Sequence, residues 1–263
     1  MTMTRASIWL PLLQRLTAST PGWGVWKSPR SALEGEGDVD SVAPAGEWET
    51  IVAEFRSWAR HEQLGAVVVC RHIPGLLVLA ACLGDRPTRL LQLDVYAERV
   101  FRGATLVRAA SLRELMEKES RGFRRLRPGA EGLLRLFGEG LRAGGRPPAA
   151  GTARTLGRLL RDDPEGVEQA SRVLGARGAS AIAVANSLAR GGWDRRAALQ
   201  LELSSLLELL RAPRELVVSA RRDLRRLRPC GVLRALEAGR TIPGDPGLWL
   251  ARESASHSVY DPP

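Results

Sequence analysis

A chain of 263 residues, 44% of them hydrophobic, can bury a substantial core in one large domain or two modest ones, which excludes a globally disordered polypeptide. The formal net charge of +10 is uneven: residues 1–108 hold 12 basic and 11 acidic side chains, and residues 109–263 hold 27 and 18. Apart from Lys27 and Lys118 the basic residues are all arginine, a bias that a GC-rich coding composition also produces, so charge alone establishes no nucleic-acid partner.

In chain order, Ile8, Trp9, Leu12, Leu13 and Leu16 recur at helical spacing and predict an opening amphipathic helix, ended by Thr20-Pro21-Gly22. The apolar run at its start is too short for a secretory core, contains Pro11 and stops at Gln14-Arg15. A short strand, Gly24-Val25-Trp26, leads to Ser28-Pro29. Ser28 suits a helix N-cap and Pro29 the first helical position, predicting a short helix that closes at Gly35-Glu36-Gly37. A second strand is expected over 38–43. Trp48, Ile51, Val52, Phe55, Trp58 and Ala59 share one face of a helix over 47–63. Strands follow over 66–72, 76–82 and 89–96, separated by the turn residues Pro74-Gly75 and Gly84-Asp85-Arg86-Pro87.

Beyond residue 108 the pattern turns helical, with helices expected over 111–120 and 128–142. A linker is expected over 143–151, then helices over 152–160, 165–174, 180–189, 194–210 and 214–227. The expected fold class is therefore α+β: a small mixed sheet of about five strands flanked by helices (1–108), then an all-helical region (109–250) and a polar tail (251–263). The longest apolar run, 76–83, is far shorter than the ~18 residues a spanning helix needs, so a soluble, cytoplasmic protein without a membrane partner is expected. Cys70, Cys82 and Cys230 are widely spaced with no CxxC, and read as reduced thiols rather than a zinc site or disulfide framework.

The chemistry lies in the acids. In Asp38-Val39-Asp40 the two carboxylates project to one face of a strand, where their repulsion calls for a cation, a proton or an arginine between them. In Leu90-Leu91-Gln92-Leu93-Asp94-Val95-Tyr96, the leucines at 91 and 93 and Val95 form one face, and Gln92, Asp94 and Tyr96 the other. An aspartate within such a strand is costly unless paired or metal-bound. If the two strands are neighbours, three carboxylates converge and can hold hard divalent ions. Just upstream, the helix start at Ser28, with its hydroxyl and the Lys27 ammonium, offers contacts to phosphate.

Lys27-Ser28, Asp38-Val39-Asp40 and the strand-borne Asp94 together resemble the nucleotidyltransferase superfamily of DNA polymerase β type, over roughly residues 5–108. The family's glycine before the serine is Lys27 here, and Pro29 follows directly. The resemblance implies an Mg²⁺-dependent transferase, with a two-metal site and Mn²⁺ as an alternative ion. It would move a nucleoside monophosphate from an NTP such as ATP to a hydroxyl of a small molecule, protein or RNA and release pyrophosphate. It implies Asp38, Asp40 and Asp94 as catalytic and metal-binding residues, and Lys27 and Ser28 as nucleotide-binding. It further implies a helical region that closes one side of the cleft and selects the acceptor.

Other assignments account for the same residues. The altered Lys27-Ser28-Pro29 turn also fits a catalytically inactive, nucleotide-sensing or protein-interaction member of that fold. A solvated turn at Asp38 and Asp40, with Asp94 salt-bridged to Arg89 or Arg99, needs no metal. The basic clusters at 121–127 and 221–228 offer a surface to RNA, or serve as solvated helix faces. Arg71-His72 reads as a surface arginine and a satisfied histidine, and Trp23, Trp26, Trp48 and Trp58 as core.

Overall fold

A computed structural model of the chain describes residues 4–35, 37–65, 67–71, 73–82, 90–211, 217–221, 224 and 257–260. They form two compact units. The first comprises residues 1–97, 118–125 and 221–263, and the second residues 98–117 and 126–220.

In the first unit, helix α1 (Arg5–Ser19) is capped by Thr4, whose hydroxyl accepts from the Ser7 N–H at 3.2 Å. Its predicted apolar face is fully buried. Strand β1 (Gly24–Val25), the five-residue helix α2 (Arg30–Glu34), strand β2 (Val39–Val42) and helix α3 (Trp48–His61) follow. Then come β3 (Val67–Cys70), β4 (Leu76–Cys82) and β5 (Leu90–Tyr96). The sheet is completed by β8 (Met116–Lys118), β9 (Arg124–Leu126) and β10 (His257–Tyr260), which lie beyond the hairpin β6 (Glu98–Phe101)–β7 (Ala104–Arg108).

The sheet is mixed and runs β10-β3-β4-β5-β2-β1-β9-β8. It exceeds the expected five strands because β8, β9 and β10 are three or four residues long and carry no periodicity of their own. One face, bearing Val67, Val69, Leu77, Leu79, Leu91, Leu93 and Val95, packs against α1 and α3. There Trp9 stacks on Trp58 with ring centroids 5.4 Å apart, and the Trp58 indole donates to the Ile8 carbonyl at 2.9 Å. The opposite face carries Val68, Cys70, Val78, Ala80 and Cys82, with Leu90 and Tyr96 at its margin. Asp40 and Asp94 lie on that second face, by the alternation of their strands.

The second unit is helical beyond its hairpin: α4 (Pro128–Arg135), continued by a π-turn (Leu136–Gly140), then α5 (Ala150–Asp162), α6 (Pro164–Val173), α7 (Gly178–Ala189) and α8 (Arg195–Arg211). Two expectations change here. Residues 109–115 form a 3₁₀ segment rather than an α-helix over 111–120; its buried Ala109, Leu112 and Leu115 recur every three residues, the 3₁₀ repeat, before the chain extends into β8. In the expected linker over 143–151, residues 143–145 form a tight turn in which Arg142 and Arg146 pair across Gly144 and Gly145, both at positive φ, and residues 150–151 already belong to α5. Of the helix expected over 214–227, residues 217–221 and 224 are helical and the others lie outside the described residues. No helix among the described residues is long and apolar enough to cross a membrane.

Candidate metal centre

The site is built by the junction of β2 and β5. These strands run parallel, and their register sets Asp40 directly beside Asp94. The Ser41 hydroxyl donates to the Asp94 carbonyl at 2.8 Å and locks that register. Across β5, Val78 of β4 stands opposite Asp94, so the carboxylate has an apolar neighbour on that side. Asp38 lies on the segment leading into β2, half-buried, while Asp40 and Asp94 are only 7% and 8% exposed. Each of the three offers a carboxylate oxygen, and these atoms all lie within 4.8 Å of one another.

The electrostatics follow from that geometry. Burial pushes the Asp94 carboxyl up to about 7, and the charges of Asp40 and Asp38 push the same way; hydrogen bonds from Gln92 and Tyr96 oppose them. The Gln92 amide donates to Asp94 Oδ1 at 2.9 Å, and the Tyr96 hydroxyl stands 3.5 Å from Oδ2. Strand periodicity had already placed Gln92 and Tyr96 on the face of Asp94; their part in orienting it is what the structure adds. Arg89, one of the two arginines considered as a salt-bridge partner, lies outside the described residues. Asp40 Oδ2 is buried and forms an ion pair with the Lys27 ammonium. A backbone bond from the Trp26 N–H to the Asp40 carbonyl at 2.8 Å holds Lys27 in place beside it.

The donor set fits a hard divalent cation. It consists of carboxylate oxygens, the ligands Mg²⁺ and Mn²⁺ take, and Mg²⁺ binds them at about 2.0–2.1 Å. Oxygens within 4.8 Å of one another are close enough for one ion to be shared among them. Among the described residues, Lys27 is the cation that pairs with these carboxylates, which leaves room for such an ion to balance the others.

Ser28 does not do what its sequence context predicts. Helix α2 begins at Arg30, Pro29 takes the cap position, and no side chain caps the helix. Ser28 is exposed, two residues outside the helix. The remaining candidates settle elsewhere. Arg71 pairs with Glu49 at 2.8 Å, and His72 lies outside the described residues. Trp23, Trp26 and Trp58 are core, with Trp48 packed partly against it. Cys70 and Cys82 are free and buried; Cys230 lies outside the described residues.

In the basic cluster at 121–127, Arg121 pairs with Glu119 and lies over the Phe123 ring, and Arg124 binds backbone carbonyls. In the other unit Arg127 binds Asp163 and Glu165. These three arginines serve folding. The cluster at 221–228 lies mostly outside the described residues. Comparison with known proteins returns no matching family model, curated protein or solved structure.

Proposed function

We propose that the first unit is the core of an Mg²⁺-dependent nucleotidyltransferase of the DNA polymerase β type, which moves a nucleoside monophosphate from an NTP to an acceptor hydroxyl. The observation that carries this reading is the parallel β2–β5 register, which sets Asp40 beside Asp94 with Asp38 in reach. Asp38, Asp40 and Asp94 would hold the ion, which supplies charge neutralisation at the phosphate and lowers the pKa of a bound hydroxyl. Asp94, oriented by Gln92 and Tyr96, presents a carboxylate to the acceptor side and can take its proton at Oδ2. Lys27 stands against Asp40, where its ammonium can balance carboxylate charge and reach the NTP phosphates, and the exposed Ser28 hydroxyl follows it in the chain.

The test is release of pyrophosphate from Mg²⁺·NTP with candidate acceptors, together with Mg²⁺·NTP affinity. Asp40→Asn and Asp94→Asn are expected to lower turnover at least a hundredfold, as loss of charge-stabilising groups does. Mg²⁺·NTP binding left unchanged by Asp38→Ala and Asp40→Ala sinks the proposal. A second reading, a nucleotide-sensing member without transfer activity, draws on the uncapped five-residue α2. It predicts metal-dependent NTP binding that Asp40→Asn weakens, with no pyrophosphate released by any acceptor.

A further inference from the structure

An open cavity of about 730 Å³ lies wholly within the second unit, along α5 and beside the C-terminal end of α7. Its volume is in the range of sites that enclose a nucleotide-sized ligand. Helix α5 contributes Arg154, Arg158 and Arg161, spaced four and three residues apart and so on one helical face. Arg161 is held by the Ala189 carbonyl at 2.8 Å. Among the described residues neither Arg154 nor Arg158 has an ion-pair or hydrogen-bond partner, and no acid lines the cavity. Elsewhere in this unit Arg127, Arg135, Arg172 and Arg177 each meet a carboxylate, while exposed arginines such as Arg195 and Arg196, like Arg154 and Arg158, meet none among the described residues. A row of three arginines lining a pocket that holds no acid is complementary to an anion that the protein does not itself supply.

Apolar rings line the same cavity. Trp193 is half-buried, and its indole N–H donates to the Gly145 carbonyl at 2.8 Å. That bond lies in the ring plane, so it fixes the indole without occupying either face. Pro147 and Pro148 add rigid rings beside it. The segment at 143–148 is therefore part of the site: Gly144 and Gly145 fold it back so that the carbonyl of Gly145 meets the indole. Guanidinium groups bind phosphate in bidentate fashion, and aromatic faces stack on planar rings.

We propose that this cavity binds a phosphorylated aromatic small molecule of nucleotide size, with phosphate on Arg154 and Arg158 and its ring on Trp193. The site needs no metal and is separate from the carboxylate centre.

The test uses the full chain in EDTA, which removes any divalent ion from the carboxylate centre, with ADP as probe and calorimetry as readout. One ADP is expected to bind per chain, at least tenfold more tightly than either adenosine or inorganic pyrophosphate, since each lacks one half of the match. The exposed pair Arg154→Gln/Arg158→Gln is expected to weaken ADP at least tenfold with an unchanged melting temperature. Trp193→Phe should retain most of the affinity and Trp193→Ala lose it, while Asp38→Asn/Asp40→Asn should leave it intact. Affinity for ADP unchanged by the arginine pair, equal binding of adenosine and ADP, or binding of oligonucleotide but not ADP each overturns the proposal.

Discussion

Burial and two neighbouring carboxylates lift Asp94 to about 7, against an ordinary value of 3.8, so the folded chain holds this proton more tightly than the unfolded one. Between those two values the native state carries the extra proton, and stability must fall as pH rises through that window. Above about pH 7 both states are ionised and the folded chain bears the whole cost of a buried charge. In EDTA, the protein is therefore expected to lose roughly 3 kcal/mol of stability from this group between pH 5 and pH 8. Asp94→Asn should flatten that part of the profile. Glu49 and Asp163 act in the opposite sense and at lower pH. For Glu49 the Arg71 hydrogen bond is the largest cause of its lowered pKa; for Asp163 burial opposes the shift, and hydrogen bonds from Arg127, Gly166 and Gly129 outweigh it. Their contributions are lost only as pH falls below about 4. Urea unfolding of wild type and Asp94→Asn across pH 5–8 checks this, and parallel curves would refute it.

At the scale of elements, α1 is finished from a distance. The Arg124 guanidinium donates to the carbonyls of Thr17, Thr20, Pro21 and Trp23, in the last turn of α1 and its exit. Hydrogen bonds from a charged donor contribute about 1.5–3 kcal/mol each when one partner is removed, and a shared donor yields less than their sum. Arg124→Ala is expected to cost about 2–4 kcal/mol, and Arg124→Lys to recover little, since one ammonium cannot reach four carbonyls. Chemical denaturation reads both; a loss below about 1 kcal/mol in Arg124→Ala would discard the assignment. Which elements form was largely written locally: the helical faces of α1 and α3 and the alternation of β5 follow from spacing alone. That alternation also put Asp94 with Gln92 and Tyr96. Neighbourhood was not written there. The parallel pairing of β2 with β5 joins strands separated by α3, β3 and β4, and no local pattern encodes it. The stretch 111–120, rich in Leu, Glu, Arg and Lys, has helical propensity, but pairing within the sheet overrides that weak preference at β8.

At the scale of the molecule, the chain does not complete its first unit before starting the second. It leaves after Ala97, returns for residues 118–125, and returns again from residue 221. The excess of arginine in residues 109–263 has to be read with this in mind. Arg124 terminates a helix of the first unit, and Arg177, only 5% exposed, donates to the Thr105 carbonyl inside the second. Part of what resembles a polyanion surface in the sequence, Arg124 and Arg177 among it, is thus internal wiring. The interleaving has a direct consequence for fragments. A chain ending at residue 108 keeps β2, β5 and the three aspartates, but lacks Arg124, β9 and β10. Without them the α1 carbonyls bound by Arg124 are uncapped, and β1 and β3 each lose a partner strand. Such a fragment is expected to lose the near-ultraviolet signal of the packed Trp9–Trp58 pair and to unfold in urea without a sharp transition, while the full chain unfolds cooperatively. A fragment of residues 1–108 that melts as sharply as the full chain, with its tryptophan signal intact, would show that the later segments only decorate the carboxylate core.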